Sequence, residues 1–216
     1  KKTELYTQIE QPMIFVPEIK EYIFNDLIID IAGAYLDCFP AYNGQNLRVS
    51  YANNLQAGGN QIFHCDPNSP RYLKFFIYLN DVDMDGGPFC LIPGTHQKKF
   101  EIHHQNGIFN WNDKYSWDEQ EMEQIYGKEN ITYLTAKKGD LVIADTNCFH
   151  RGFKPISNDR GMITLDYITH IPSFSEHSYM SIEKKVYDEL PEKHKILCNL
   201  LRQVDDPLDS LKPAGE

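Results

Sequence analysis

The sequence predicts a mainly β domain with flanking helices, folded as a double-stranded β-helix, that is, a jelly-roll or cupin-like barrel. Between residues 40 and 168 the chain consists of short runs rich in β-branched and aromatic residues, separated by Gly, Pro, Asn or Asp. Long stretches with helical spacing of apolar residues lie before and after that region. Many short strands joined by such turns are typical of barrels and two-sheet jelly rolls.

The flanking elements show helical periodicity. From Pro17 to Leu36 apolar residues recur at intervals of three and four positions, which predicts an amphipathic helix that covers a sheet. The stretch from Ser181 to Val204 has the same spacing and is broken at Pro191, because proline removes a helical hydrogen bond.

Seven strands are predicted between these flanks. They cover Leu47 to Ala52, Gln61 to Cys65, Tyr72 to Leu79, Pro88 to Ile92, Ile131 to Thr135, Leu141 to Ala144 and Gly161 to Ile168. The residues Asp85-Gly86-Gly87 predict a turn between two of these strands, and Pro93-Gly94 ends another.

The remaining segment, residues 103–128, has no strand periodicity and contains many acidic and amide residues. We expect an insertion with a short helix, acting as a lid or substrate loop, because insertions of this size in barrels often have that role. Its aromatic residues Trp111, Tyr115 and Trp117 are expected to line a pocket for a small organic molecule. The chain of 216 residues is expected to form one domain, residues 1–216.

Charge and cysteine content restrict the partners. With 31 acidic and 21 basic residues the formal net charge is −10, so the surface should repel nucleic acid and anionic lipid. No apolar run approaches the roughly 18 residues of a membrane span, and no leader pattern opens the chain. The five cysteines are scattered without a CxxC pair, which favours reduced thiols. We therefore expect a cytoplasmic protein that acts on a small molecule.

Two histidines and one aspartate form the candidate metal site. His64 and Asp66 are separated by one residue, so on an extended chain their side chains point the same way. His150 follows the predicted strand that ends at Ala144, and barrel closure could bring it opposite that pair. Two histidines and one carboxylate on one face are the ligand set of non-haem iron(II) oxygenases. For His64 and Asp66 taken alone, an ordinary surface or turn pair is the alternative.

Arg160 follows the three candidate metal ligands in the sequence and is a candidate for binding an anion. Arg160 opens the last predicted strand, where Met162 and Thr164 share its face. A guanidinium pairs with a carboxylate through two parallel hydrogen bonds, and the Thr164 hydroxyl can add a third. The pattern fits a holder for the distal carboxylate of a dicarboxylic cosubstrate. A surface arginine after the turn Ser157-Asn158-Asp159 is the alternative, and Arg160 taken alone favours it.

Several spaced motifs together resemble the phytanoyl-CoA dioxygenase family of Fe(II)- and 2-oxoglutarate-dependent oxygenases. They are FHCDPNSPRYLKFFIYLNDVDMDGGPFCLIPGTHQ and, after a gap, GDLVIADTNCFHRGFKPISNDRGMITLDYI. The resemblance covers roughly residues 47–168 and implies that His64, Asp66 and His150 bind the iron. It also implies that Arg160 pairs with 2-oxoglutarate, and that a substrate is hydroxylated while 2-oxoglutarate and O2 give succinate and CO2.

Lys74 is a further candidate for cosubstrate or substrate binding. It shares a strand face with Tyr72, Phe76 and Tyr78, and the resemblance includes such a lysine. A solvent-facing lysine on that strand is the alternative. The other histidines, among them His96, His103, His104, His170 and His177, are expected to lie at turns or in loops without binding metal.

Two other functions fit a barrel of this kind. A cupin-type metalloenzyme that does not use 2-oxoglutarate would typically show HxH and a later Glu, whereas here the second member is Asp66. A non-catalytic jelly-roll binding module leaves the joint presence of the histidines, Asp66 and Arg160 unexplained. The substrate itself does not follow from the fold or the metal ligands.

Overall fold

A computed structural model describes residues 3–66, 69–97, 116–169, 181–206 and 208. Its strands are β1 Tyr6–Glu10, β2 Ala41–Ser50, β3 Tyr72–Tyr78, β4 Phe89–Leu91, β5 Thr132–Leu134, β6 Leu141–Asp145, β7 His150–Gly152, β8 Arg160–Ile168, β9 Ser181–Glu183 and β10 Arg202–Val204. Its helices include α1 Lys20–Ile23, α2 Asp26–Leu36, α3 Glu119–Tyr126, α4 Lys184–Glu189 and α5 Glu192–Leu197.

The strands form two main sheets. One has the order β1-β2-β8-β3-β6 and the other the order β5-β4-β7, while β9 and β10 pair separately. In the three-stranded sheet β4 is antiparallel to both neighbours, and Cys90 lies opposite Tyr133 on one side and Arg151 on the other. The predicted mainly β fold with flanking helices, a double-stranded β-helix, is confirmed.

The chain divides into two compact units. The first comprises residues 1–7, 48–67 and 76–162, and the second comprises residues 8–47, 68–75 and 163–216. A single domain over residues 1–216 stays a prediction. So does the lid at residues 103–128, of which α3 lies within the described part and residues 103–115 lie outside it.

The first unit has two apolar clusters, one on each face of the sheet β5-β4-β7. Phe89, Leu91 and Leu134 belong to a cluster that also contains Phe76, Tyr78, Val82, Ala144 and Met162. The alternate positions Cys90 and Tyr133 pack in the other, with Phe63, Ile92, Trp117, Met122, Ile131 and Phe149. Burial of each such aromatic side chain stabilises the fold by roughly 1.5–3 kcal/mol relative to exposure. The two clusters therefore stabilise the strands that carry the candidate site.

The second unit is built around Ala41, Tyr72 and Ile168, against which Leu200 packs. The Tyr167 ring contacts Phe75 edge-on at 5.4 Å, and its hydroxyl donates to the carbonyl of Ile23. Among the described residues no helix is both long and apolar enough to cross a bilayer.

The predicted helix over Pro17 to Leu36 is wrong as a single element. A 3-10 turn at Pro17–Ile19 and the short α1 precede a break at Phe24 and Asn25. The Asn25 side chain then caps α2 by accepting from the backbone N–H groups of Leu27 and Ile28. Asparagine is a preferred N-cap because its side-chain oxygen satisfies amides that a new helix leaves without partners.

The C-terminal region also differs from the predicted helical stretch. It begins with β9, continues through α4 and α5, and ends with β10, which pairs parallel to β9. The predicted break at Pro191 is confirmed, since Pro191 stands immediately before α5.

Gly87 in the turn before β4 permits a close backbone approach. It has φ +71°, and a Cβ there would lie 2.3 Å from the carbonyl oxygen of Phe153 and 2.6 Å from the nitrogen of Pro155. We expect Gly87→Ala to lower the free energy of unfolding by more than the roughly 1–2 kcal/mol of a left-handed alanine, because backbone atoms cannot easily move aside.

Gly94→Ala is the matched control for this prediction. Gly94 has φ +79° but nothing lies within 4 Å of its Cβ position, so only the backbone strain should appear. Urea unfolding of both variants measures the difference, and equal losses of stability would contradict the crowding at Gly87.

Candidate metal centre

The first unit brings His64 and His150 side by side. Each backbone N–H donates to the other residue's carbonyl, at 3.0 and 2.9 Å, which forms an isolated antiparallel bridge. Their ring centroids are 4.3 Å apart. The backbone N–H of Asp66 donates to the carbonyl of Thr146 at 2.9 Å, which fixes the carboxylate beside both rings. The predicted convergence of His64, Asp66 and His150 is therefore present in the structure.

The three side chains offer donor atoms at metal-binding spacing. One ligating atom from each lies within 4.8 Å of the other two. His64 Nε2 is 4.0 Å from Asp66 Oδ1, and His150 Nε2 is 3.7 Å from Asp66 Oδ2, both too long for hydrogen bonds. Donors bound at right angles to one ion, each about 2.1 Å from it, lie about 3 Å apart, so a small inward movement would complete the coordination.

The hydrogen bonds of the two rings set which nitrogen faces the centre. His64 Nδ1 lies 2.8 Å from the carbonyl of Ile62, and His150 Nδ1 lies 2.9 Å from the carbonyl of Cys148. Since a carbonyl only accepts, each Nδ1 carries a proton, and the lone pair available for a metal in the neutral form of each ring is on Nε2. Histidine ligands of metals are typically oriented by such a bond from the second nitrogen. The donor set therefore fits a divalent transition metal.

The surroundings of His150 are apolar. The residue is 5% exposed, and the Phe89 ring lies 5.5 Å from its ring. Phe89 belongs to the cluster with Phe76 and Met162. An apolar wall beside the donor atoms limits water access to the centre.

Arg160 is a buried cation in the same unit. It is 2% exposed, and its guanidinium donates to the carbonyl of Phe153 and to Ser50 Oγ, both at 3.2 Å. No carboxylate among the described residues forms an ion pair with it. Burial lowers the pKa of Arg160 to about 10, so the side chain is still charged at neutral pH. A buried charge with only neutral partners is costly unless an anion binds there.

The neighbouring strand makes room for this guanidinium. A Cβ on Gly152 would lie 2.5 Å from Arg160 Nη2. The sequence places Gly152 in the short connection between His150 and Arg160 but assigns neither Gly152 nor Ser50 a role beside the guanidinium. A glycine two positions after a candidate ligand was the available signal for Gly152, whereas nothing in the sequence points to Ser50.

Lys74 and Thr164 belong to the second unit. Lys74 Nζ lies 3.7 Å from Asp166 Oδ2 and 4.9 Å from the Tyr72 ring centroid. The Tyr72 hydroxyl donates to the same Asp166 oxygen at 2.8 Å. Thr164 is 5% exposed, and its hydroxyl has no partner among the described residues. The solvent-facing alternative for Lys74 is wrong, because its side chain is only 16% exposed.

Two of the remaining candidate residues, His96 and Trp117, lie in the described part of the chain, and neither belongs to the metal centre. His96 Nδ1 contacts Cys148 Sγ at 3.2 Å, and the cluster of possible metal ligands does not include it. Trp117 does not line a pocket, because it is 3% exposed and packs edge-on against Phe149. His103, His104, His170, His177, Trp111 and Tyr115 lie outside the described residues.

A family model connects this geometry with known proteins. The model for phytanoyl-CoA dioxygenase (PhyH) matches residues 59–162, which include the three candidate ligands and Arg160. Among curated proteins none matches the sequence at a significant level.

Solved structures share the fold at low identity. HygX from Streptomyces hygroscopicus, with nickel and 2-oxoglutarate bound, is 11% identical over 77% of this chain and 71% of HygX, with a TM-score of 0.56. A HygX structure that also contains hygromycin B is 10% identical, with a TM-score of 0.53 and the same coverage.

Two further structures are similar. AviO1 from Streptomyces viridochromogenes Tue57 is 16% identical over 81% of this chain and 71% of AviO1, with a TM-score of 0.53. The epimerase SnoN, in complex with Fe3+, alpha ketoglutarate and nogalamycin RO, is 13% identical over 79% of this chain and 66% of SnoN, with a TM-score of 0.58.

Proposed function

Because this chain is an Fe(II)- and 2-oxoglutarate-dependent oxygenase of the phytanoyl-CoA dioxygenase family, we propose that His64, Asp66 and His150 hold the iron and that Arg160 binds 2-oxoglutarate. One observation carries this assignment. The first unit combines three converging donor atoms with a buried guanidinium whose described partners are all neutral. A divalent metal and the distal carboxylate of a dicarboxylate satisfy both features.

Iron in such a site supplies the activation of O2 that converts 2-oxoglutarate to succinate and CO2 while the substrate is oxidised. The protein's residues orient the reactants. The two imidazoles offer Nε2 lone pairs, and Asp66 offsets part of the metal's charge. Phe89 and its cluster exclude water, and the Arg160 fork fixes the far end of 2-oxoglutarate through two parallel hydrogen bonds.

Lys74 and Thr164 remain proposed cosubstrate contacts. The proposal for Thr164 rests on its buried hydroxyl and on its position in β8, which Arg160 begins. Lys74 is proposed to bind either 2-oxoglutarate or the substrate. Its ion pair with Asp166 already compensates its charge, which favours the substrate.

The proposed substrate is a small organic molecule that becomes hydroxylated. HygX and SnoN, which share the fold, have been crystallised with hygromycin B and with nogalamycin RO, and these support a small-molecule substrate. A carboxylate ligand at Asp66 favours hydroxylation over halogenation, because halide takes that position in halogenating relatives.

The direct test is succinate formation from defined components. Purified protein is incubated with Fe(II), 2-oxoglutarate and O2, and succinate is quantified by mass spectrometry. We expect succinate that depends on all three components and disappears when EDTA removes the metal. Wild-type protein that forms no succinate above the protein-free background, in the presence of candidate small molecules, would contradict the proposal.

Gly152→Ala tests the position of Arg160 without changing Arg160 itself. Gly152 lacks a positive φ, so alanine fits the backbone, but its methyl group would displace the Arg160 guanidinium. We expect a several-fold weaker affinity for 2-oxoglutarate at unchanged metal affinity, measured by isothermal titration with Ni(II)-loaded protein under argon.

Gly161→Ala provides the matched control. Its Cβ would meet Leu79 Cβ at 3.3 Å and Asn80 Oδ1 at 3.5 Å. Because neighbouring residues of a strand point to opposite faces, this methyl group would lie on the face opposite to the Arg160 side chain. We expect little change in 2-oxoglutarate affinity. Equal affinity of the Gly152→Ala and wild-type proteins would show that the present guanidinium position is not the binding position.

A further inference from the structure

Arg151 is a second buried arginine in the first unit, and the proposed reaction does not use it. It is 5% exposed and stands in β7 between His150 and Gly152. Since neighbouring residues of a strand point to opposite faces, its side chain lies on the face opposite to the His150 ring. The guanidinium is enclosed by the rings of Phe63 at 4.5 Å and Phe153 at 4.8 Å.

The charge of Arg151 is compensated by one carboxylate. Its Nη2 lies 2.7 Å from Glu119 Oε1, and the Tyr133 hydroxyl donates to the same oxygen at 2.6 Å. Glu119 is the first residue of α3, whose start is fixed by a capping box between Asp118 and Glu121. The backbone from which the Glu119 side chain projects is therefore fixed at the start of the helix.

The segment that carries His64 is attached to the same place. Phe63, the residue before His64, exchanges two backbone hydrogen bonds with Trp117, at 3.0 and 2.9 Å. Residues 117–119 thus contact the immediate neighbour of each candidate histidine ligand. Phe63 takes part twice, because its ring also covers the Arg151 guanidinium.

We infer that Arg151 and Glu119 are positioning residues that hold the backbones of His64 and His150 at the spacing needed for metal binding. This inference rests on the proposed function, since it takes both histidines as ligands. Three side chains bind one ion well only when their donor atoms are held in place before binding. When the pair is broken, Arg151 stays buried without its anion, and β7 must shift or admit water to relieve the charge.

Glu119→Ala is the variant to test, because Glu119 is 38% exposed and its loss should leave the fold intact. Ni(II) affinity is measured by isothermal titration, and the melting temperature of the metal-free protein is measured in parallel. We expect a dissociation constant for Ni(II) about 10-fold higher than that of the wild type, the scale seen when residues supporting metal ligands are removed. Glu119→Gln, which removes the negative charge but keeps the size of the side chain, should lie between the two.

Asp81→Asn is the matched control. It breaks the exposed ion pair with Lys137, whose atoms are 3.0 Å apart, in the same unit. Its Ni(II) affinity should equal that of the wild type. A lower melting temperature of Glu119→Ala with wild-type Ni(II) affinity would mean a purely structural pair and would overturn the inference. Wild-type protein that binds no Ni(II) would overturn the proposed metal site, and this inference with it.

Discussion

Replacing His64 by alanine is expected to abolish Fe(II) binding and succinate formation together. The substitution removes one of three donor atoms that lie within 4.8 Å of one another, so the remaining His150 and Asp66 form a two-donor site. Changes to residues that merely support metal ligands cost 10–100-fold in affinity, and loss of a ligand should cost at least about 100-fold. Metal content after dialysis and succinate yield measure both effects.

The substitution should leave the fold intact, because His64 is only partly buried and its bridge to His150 uses backbone atoms. His96→Ala is the control, since His96 is a histidine of the same unit that contacts Cys148. We expect His96→Ala to bind metal as the wild type does. Normal metal content and turnover in His64→Ala would remove His64 from the ligand set.

Replacing Arg160 by alanine is expected to weaken 2-oxoglutarate binding while leaving Fe(II) binding nearly unchanged. The distal carboxylate would lose a charge-assisted pair at a 2% exposed position. Losing one partner of such a pair costs on the order of 2–5 kcal/mol, so the affinity should fall by at least about 10-fold. Isothermal titration of Ni(II)-loaded protein separates the affinity for 2-oxoglutarate from that for the metal.

Arg160→Lys distinguishes the charge from the geometry of the fork. Lysine keeps the positive charge but cannot form two parallel hydrogen bonds, so its affinity should lie between those of the wild type and Arg160→Ala. If Arg160→Ala bound 2-oxoglutarate as tightly as the wild type, Arg160 would not be the cosubstrate residue, even with the metal site established.

Local patterns in the sequence predict part of the candidate site. Strand alternation places His64 and Asp66 on one side of the chain, although among the described residues the segment forms isolated bridges at Phe63 and His64 and no longer strand. His150 is distant in sequence, and its place after the strand that ends at Ala144 makes it only a candidate until the order of motifs in the family supports it. The bonds that align the rings run to carbonyls two residues earlier, which a sequence pattern does not reveal.

Other features depend on contacts between distant segments. Asp166 compensates Lys74 across β3 and β8, and Glu119 compensates Arg151 from a helix beside the three-stranded sheet. The nearby sequence predicts neither ion pair, because the two partners come together only when distant segments pack against each other. The break before α2 does have a local signal, because Asn25 followed by Asp26 is typical of a helix start. The apolar spacing continues across these two residues, and it therefore predicts a single helix. Strand β1 contains few apolar residues, so the sequence pattern does not predict it.

The most direct test is a crystal structure of the protein grown without oxygen in the presence of Ni(II) and 2-oxoglutarate. We expect one metal ion about 2.0–2.2 Å from His64 Nε2, His150 Nε2 and an Asp66 oxygen. We also expect the distal carboxylate of 2-oxoglutarate to form two hydrogen bonds with the Arg160 guanidinium. A metal ion held by other residues, or a 2-oxoglutarate carboxylate bound away from Arg160, would contradict the proposed site.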